Sequence, residues 1–275
     1  MMLTAEAASL RFQHHLFYRE LGTLFPNTLP LGSITRVLDL SCGPGVWLLE
    51  VTQAYPRIEG IGVDQKPELI QSACEDAQLL GSNSASFRVL DCYEKLPYAD
   101  SSFDFVHVQR SSAAITPKQW PVVLREIARV LRPGGWIQFL DFEIGPTSSS
   151  AINTFIEYLY TAHSNDGRVF SSEIRALTSA TVFPRLLAEV GYTQTKYTLH
   201  AIDIGNQAGS VGRDYIVSVL IGDSRIADCL VRAGVVKKCE IDALIATMRE
   251  DAQCLKYCAM GMLISIVSMK TEEEV

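Results

Sequence analysis

The chain has 275 residues, 48% hydrophobic and 20% charged, so it can bury a sizeable core and global disorder is excluded. A formal net charge of −7 without any run of Lys or Arg argues against a polyanion or an anionic membrane surface as partner. Seven scattered cysteines and no signal-peptide pattern lead to the expectation of a reducing, cytoplasmic setting. Cys254 and Cys258 lie one helical turn apart but lack a second ligand pair, so no metal site is expected. The longest apolar run, Cys258 to Val267, is too short to span a bilayer.

In chain order, residues 3–25 read as a helix with Leu10, His14, Phe17, Leu21 and Leu24 roughly on one face, closed by Pro26 and Pro30. From residue 36, strands and helices alternate. Strands are expected at 37–40, 58–63, 87–90, 103–108 and 136–142. Helices are expected at 46–54, 67–80 and 117–131, the last stopped by Pro133-Gly-Gly135. Such alternation predicts βαβ units and a parallel sheet covered on both faces. The second half is less regular: helices at 151–163, 171–190, 213–232 and 238–253, strands at 192–204 and 261–269, and an acidic tail at 272–275. No internal repeat is present, and one domain covering 1–275 is expected.

The stretch Arg36-Val-Leu-Asp-Leu-Ser-Cys-Gly-Pro-Gly-Val-Trp47 is strand, tight turn and helix, which places a ligand at the strand's carboxyl end. It lacks the Gly-x-Gly-x-x-Gly spacing of a dinucleotide site, and Pro44 removes one backbone N–H from the turn. A ligand with fewer negative charges fits better. Asp39 suits an ammonium group, and Asp64, nineteen residues after Gly45, suits both hydroxyls of a ribose. Asp91 suits an exocyclic adenine amine. Three carboxylates at three adjacent strand ends describe a site for a neutral or cationic adenosine derivative.

The series Val37-Leu-Asp-Leu-Ser-Cys-Gly-Pro-Gly45, Gly62-Val-Asp64, Leu90-Asp-Cys92, Leu96-Pro-Tyr-Ala-Asp-Ser-Ser-Phe-Asp104 and Leu131-Arg-Pro-Gly-Gly-Trp136 resembles the class I S-adenosylmethionine-dependent methyltransferases of small-molecule type. The family's first motif usually has glycine where this chain has Ser41. The resemblance implies a Rossmann-like, doubly wound α/β sheet of seven strands, six parallel and one antiparallel, with helical cap inserts. It implies a helical segment at 1–30, a cofactor core at 36–143, and the remaining strands with substrate-cap inserts at 144–275. It further implies that Ser41, Cys42, Gly43, Pro44 and Gly45 hold the methionine part of S-adenosyl-L-methionine. Asp64 with Gln65 would hold the ribose, Asp91 with Cys92 and Tyr93 the adenine, while Gln109 approaches the methionine end. The product would be S-adenosyl-L-homocysteine. The segment Arg11-Phe-Gln-His-His-Leu-Phe17 is also similar to a subset that includes regulators of fungal secondary metabolism, which directs attention to His14 or His15 as catalytic candidates.

A base is needed only if the methyl acceptor carries a proton that must leave. Tyr18, Arg110, Tyr158 and Phe170 are the candidate substrate-binding residues, in segments flanking the strand ends, and Phe12, Phe17 and Tyr160 add to the aromatic supply. Aromatics at helical spacing also serve as plain core. The expected activity is methyl transfer to a small apolar or aromatic metabolite. The alternative is a methyltransferase-like regulator that binds the cofactor and acts through protein partners. Neither nucleic acid nor a membrane is expected as partner, and a homo-oligomer is left open.

Overall fold

The computed structural model describes residues 4–109, 115–170, 179–206, 214–221 and 224–271. Its seven strands form one sheet in the order β3-β2-β1-β4-β5-β7-β6. They are β1 (Arg36–Leu40), β2 (Glu59–Asp64), β3 (Ala85–Val89), β4 (Phe103–Gln109), β5 (Leu131–Thr147), β6 (Tyr192–Asp203) and β7 (Ala259–Lys270). Strands β1 to β5 pair in parallel. Strand β7 runs against both neighbours: Gln138 bonds Ser265 while Ser148 N bonds Cys258 O, and Thr195 bonds Ser268 while Ile204 N bonds Ala259 O. Six strands in one direction and one reversed is the expected architecture.

The chain divides into two compact units. One comprises Leu21–Asp141, Ser179–Thr198 and Ile264–Val275. It contains α2 (Val46–Ala54), α3 (Pro67–Leu79), α4 (Trp120–Val130) and α6 (Ser179–Glu189). Strand β1 is RVLDL, buried from its second residue on, as a strand covered on both faces must be. The register places Asp39, Gly62, Phe87 and His107 side by side across four strands. On their face, Trp47 of α2 stacks on His107, and Phe25 packs edge-on against Trp47 and Phe105. The other face takes α4 and α6, where Trp120 and Phe183 close on Phe139. Burial of such rings contributes roughly 1.5–3 kcal/mol each.

At the amino ends of the strands Asp104 accepts from Thr35 N, Thr35 Oγ1 and Arg36 N, and pairs with Arg132 at 2.7 Å. Burial alone would raise this carboxyl, but those bonds outweigh it and hold the group below the usual carboxylate range. It ties β1 to β4 at the edge away from the ligand end.

The other unit comprises Met1–Glu20, Phe142–Thr178 and Leu199–Leu263. It holds most of α1 (Ala5–Leu21), then α5 (Ser150–Asn165), α7 (Ser224–Arg232) and α8 (Lys238–Gln253). Ser149 caps α5 by accepting from Ile152 N and donates to Asp251 of α8 at 2.6 Å. Phe142 packs between Phe17 and Tyr215. The helix expected at 213–232 differs among the described residues: Ile216–Ile221 is a π-helical turn, and Ser224–Arg232 is an α-helix. The run IVSVLI is apolar almost throughout, so its pattern presents no stripe to set an α-helical face. Residues 171–178 of the expected 171–190 helix, and the tail at 272–275, lie outside the described residues. Among the described residues no helix is long and apolar enough to cross a membrane.

Candidate cofactor site

The site is built on the carboxyl ends of β1, β2, β3 and β4, all in the first unit described. Between β1 and α2 the backbone turns through three left-handed residues, Ser41 (φ 58), Gly43 (φ 55) and Gly45 (φ 72). A left-handed φ explains why glycine suits position 41 and why serine there carries strain. Gly45 has a second constraint. A Cβ on it would lie 2.5 Å from the Phe87 ring and 2.8 Å from Ala73, so the turn sits directly on β3 and α3. A Cβ on Gly62 would meet the same ring at 2.6 Å.

The turn's amides are committed within the protein. Cys42 N donates to Val63 O, Gly43 N to Asp64 Oδ2, and Gly45 N to Cys42 O, each at 3.0 Å, while Pro44 has no N–H. A diphosphate needs such groups pointing at it, and residues 42–45 offer none. The acceptors, by contrast, are plentiful. Asp64 is buried, with Oδ2 on the turn and Oδ1 accepting from Lys66 N at 3.0 Å. Asp91 is exposed just beyond β3, and its Oδ1 accepts from Gln65 Nε2 at 2.7 Å and Tyr93 N at 2.9 Å. Gln65 thus bridges the ribose and adenine positions expected of Asp64 and Asp91.

Cys42 and Cys92 face this region as neutral thiols. Burial pushes Cys42 well up, with the Asp39 and Asp64 carboxylates adding to it. Burial likewise pushes Cys92 up to about 12. Neither is a thiolate nucleophile at neutral pH. Burial also raises the Tyr93 phenol, although its hydrogen bond with Ser41 pulls the other way.

The structure brings together Asp39, Ser41, Cys42, Gly43, Pro44, Gly45, Asp64, Gln65, Asp91, Cys92, Tyr93 and Gln109 on four neighbouring strand ends. Arg110 lies outside the described residues. His14, His15 and Tyr18 are on α1: His14 is buried with its ring 4.5 Å from that of Tyr18, and His15 is exposed. Tyr158 on α5 and Phe170 just beyond it are half-buried. His107, a histidine inside β4 that the sequence suggests meets a buried polar partner, finds it in Asp39, whose Oδ1 lies 2.9 Å from its Nδ1; the identity of that partner is what the sequence did not show.

Residues 37–135 match the model of a family described as methyltransferase domain. Among curated proteins, the chain is 31% identical over 113 residues to the secondary metabolism regulator laeA of Monascus pilosus. That match covers 40% of this chain and 28% of the relative. Among solved structures, the YcgJ protein from Bacillus subtilis superposes with a TM-score of 0.55 at 17% identity, covering 95% of this chain and 100% of that one. Phosphoethanolamine N-methyltransferase 2 of Haemonchus contortus, solved with S-adenosylhomocysteine, gives 0.51 at 16% identity, covering 95% and 52%. Those two likenesses establish a shared fold. Residues 37–135 thus resemble a methyltransferase domain on the fold these structures share, and the laeA match spans under a third of that relative's length.

Proposed function

We propose that this protein transfers a methyl group from S-adenosylmethionine to a small apolar or aromatic metabolite. The observation that carries the cofactor reading is the committed turn: residues 42–45 give no amide to a phosphate, while three carboxylates surround the position where ribose, adenine and ammonium would sit. The cofactor supplies an electrophilic methyl on a sulfonium whose leaving group departs neutral. The chain's own work is alignment and exclusion of water. Asp64 orients the ribose, Asp91 with Gln65 the adenine, and the turn at 41–45 lets the methionine end approach closely. An acceptor with a dissociable proton requires a base, for which His14 or His15 of α1 is the candidate, and Tyr18, Tyr158 and Phe170 remain candidates for contact with the acceptor.

A second reading is favoured by the laeA likeness, since that relative is named as a regulator. In it the chain binds the cofactor and acts through a protein partner. Incubation with methyl-labelled S-adenosylmethionine and a cell extract separates the two. The first reading predicts label in the low-mass, organic-extractable fraction, dependent on intact Asp64. Label confined to protein, or no turnover with tight cofactor binding, would favour the regulator.

A further inference from the structure

We infer that His107 is a positioning residue for Asp39, setting that carboxylate to receive the ammonium of the cofactor's methionyl end. The inference rests on the cofactor reading above. Strands β1 and β4 pair with Asp39 beside His107, at 2% and 1% exposure. Their neighbours Val37, Leu38, Leu40, Phe105, Val106 and Val108 are all apolar and buried. Nδ1 of His107 lies 2.9 Å from Asp39 Oδ1, and since a carboxylate oxygen accepts, the Nδ1–H tautomer is the one that bonds it. Among the described residues His107 is the one hydrogen-bond partner of the Asp39 side chain.

The imidazole is itself held. Trp47 stacks on it with ring centroids 4.0 Å apart and planes 14° from parallel, and Trp47 Nε1 donates to Leu24 O at 3.0 Å. With Oδ1 engaged and the imidazole clamped, the carboxylate plane is set, and Oδ2 is the oxygen left to accept from a ligand. Packed apolar residues are often as stabilising as a buried, hydrogen-bonded polar pair. Retaining such a pair in an apolar strand interior, next to the turn, therefore points to the ligand rather than to the core.

The test uses the full chain and two ligands in calorimetry: S-adenosylhomocysteine, and 5′-methylthioadenosine, which lacks the amino-acid end. His107→Phe keeps a ring for Trp47 and loses the donor; His107→Asn keeps a donor and loses the ring. His107→Phe is expected to bind S-adenosylhomocysteine roughly tenfold or more weakly, the loss typical of a hydrogen bond to a charged group. Its affinity for 5′-methylthioadenosine should stay within about threefold, and His107→Asn should restore both ligands to about that margin. Equal weakening of both ligands, no weakening of either, or no rescue by Asn overturns the assignment. Should His107→Phe fail to fold, His107→Gln, whose donor is displaced by one carbon, must show the same selective loss. Wild-type protein that binds neither ligand overturns the cofactor reading and this inference with it.

Discussion

Asp64→Ala is expected to weaken S-adenosylhomocysteine binding by about 3 kcal/mol, the upper end of the range for losing hydrogen bonds to a charged group. Two losses coincide in this variant. The ribose hydroxyls lose their acceptor, and the Gly43 and Lys66 amides lose the carboxylate oxygens that hold them at 3.0 Å. Gly43 lies in the left-handed part of the turn, so releasing its amide loosens the surface on which the methionine end rests. Asp91→Ala should cost less, because Asp91 is exposed and its protein partners are Gln65 Nε2 and the Tyr93 amide. Calorimetry on the folded variants measures both. A folded Asp64→Ala protein with wild-type affinity would remove Asp64 from the ribose position.

The second large effect is on stability. Gly45→Ala is expected to destabilise the protein by roughly 2–5 kcal/mol, combining about 1–2 for a left-handed residue bearing a Cβ with about 1–3 for overpacking. The two parts are separable, because the new methyl meets the tip of the Phe87 ring at 2.5 Å. Phe87→Leu shortens that side chain. The double variant should therefore recover the share of the packing cost that Phe87 causes and leave the Ala73 contact and the backbone part. Urea unfolding of the four proteins gives the coupling. Strictly additive costs would mean that Phe87 is not what confines Gly45.

Much of this was legible from residues 36–64. The apolar run into Asp39, the small residues of the turn and the apolar start of α2 are local signals, and helix Val46–Ala54 lies where they place it. Strand β5 is less local. Its expected start was Trp136, after Pro133-Gly-Gly135, yet pairing begins at Leu131 with Phe103 and resumes at Trp136 with Phe105. The proline and glycines are accommodated as an irregularity between two paired stretches rather than as the end of pairing. The π-helical turn at Ile216–Ile221 escaped for the opposite reason, since a nearly uniform apolar run suits more than one helical pitch.

At the site, residue types were legible and their commitments were not. Strand-end acids can be read from the chain, but the bond from Gly43 N to Asp64 spans 21 positions and that between Asp39 and His107 spans 68. Such bonds depend on strand register, which only the assembled sheet determines. They change the reading of the turn. Its lack of a third glycine argued against a diphosphate by pattern; its engaged amides argue so by chemistry.

Calorimetric titration of the full chain with S-adenosylhomocysteine and with NAD tests the central claim most directly. One molecule of S-adenosylhomocysteine bound per chain and no heat from NAD is the predicted result. Binding of NAD without binding of S-adenosylhomocysteine would contradict it, because a dinucleotide pyrophosphate needs amides that this turn has already spent.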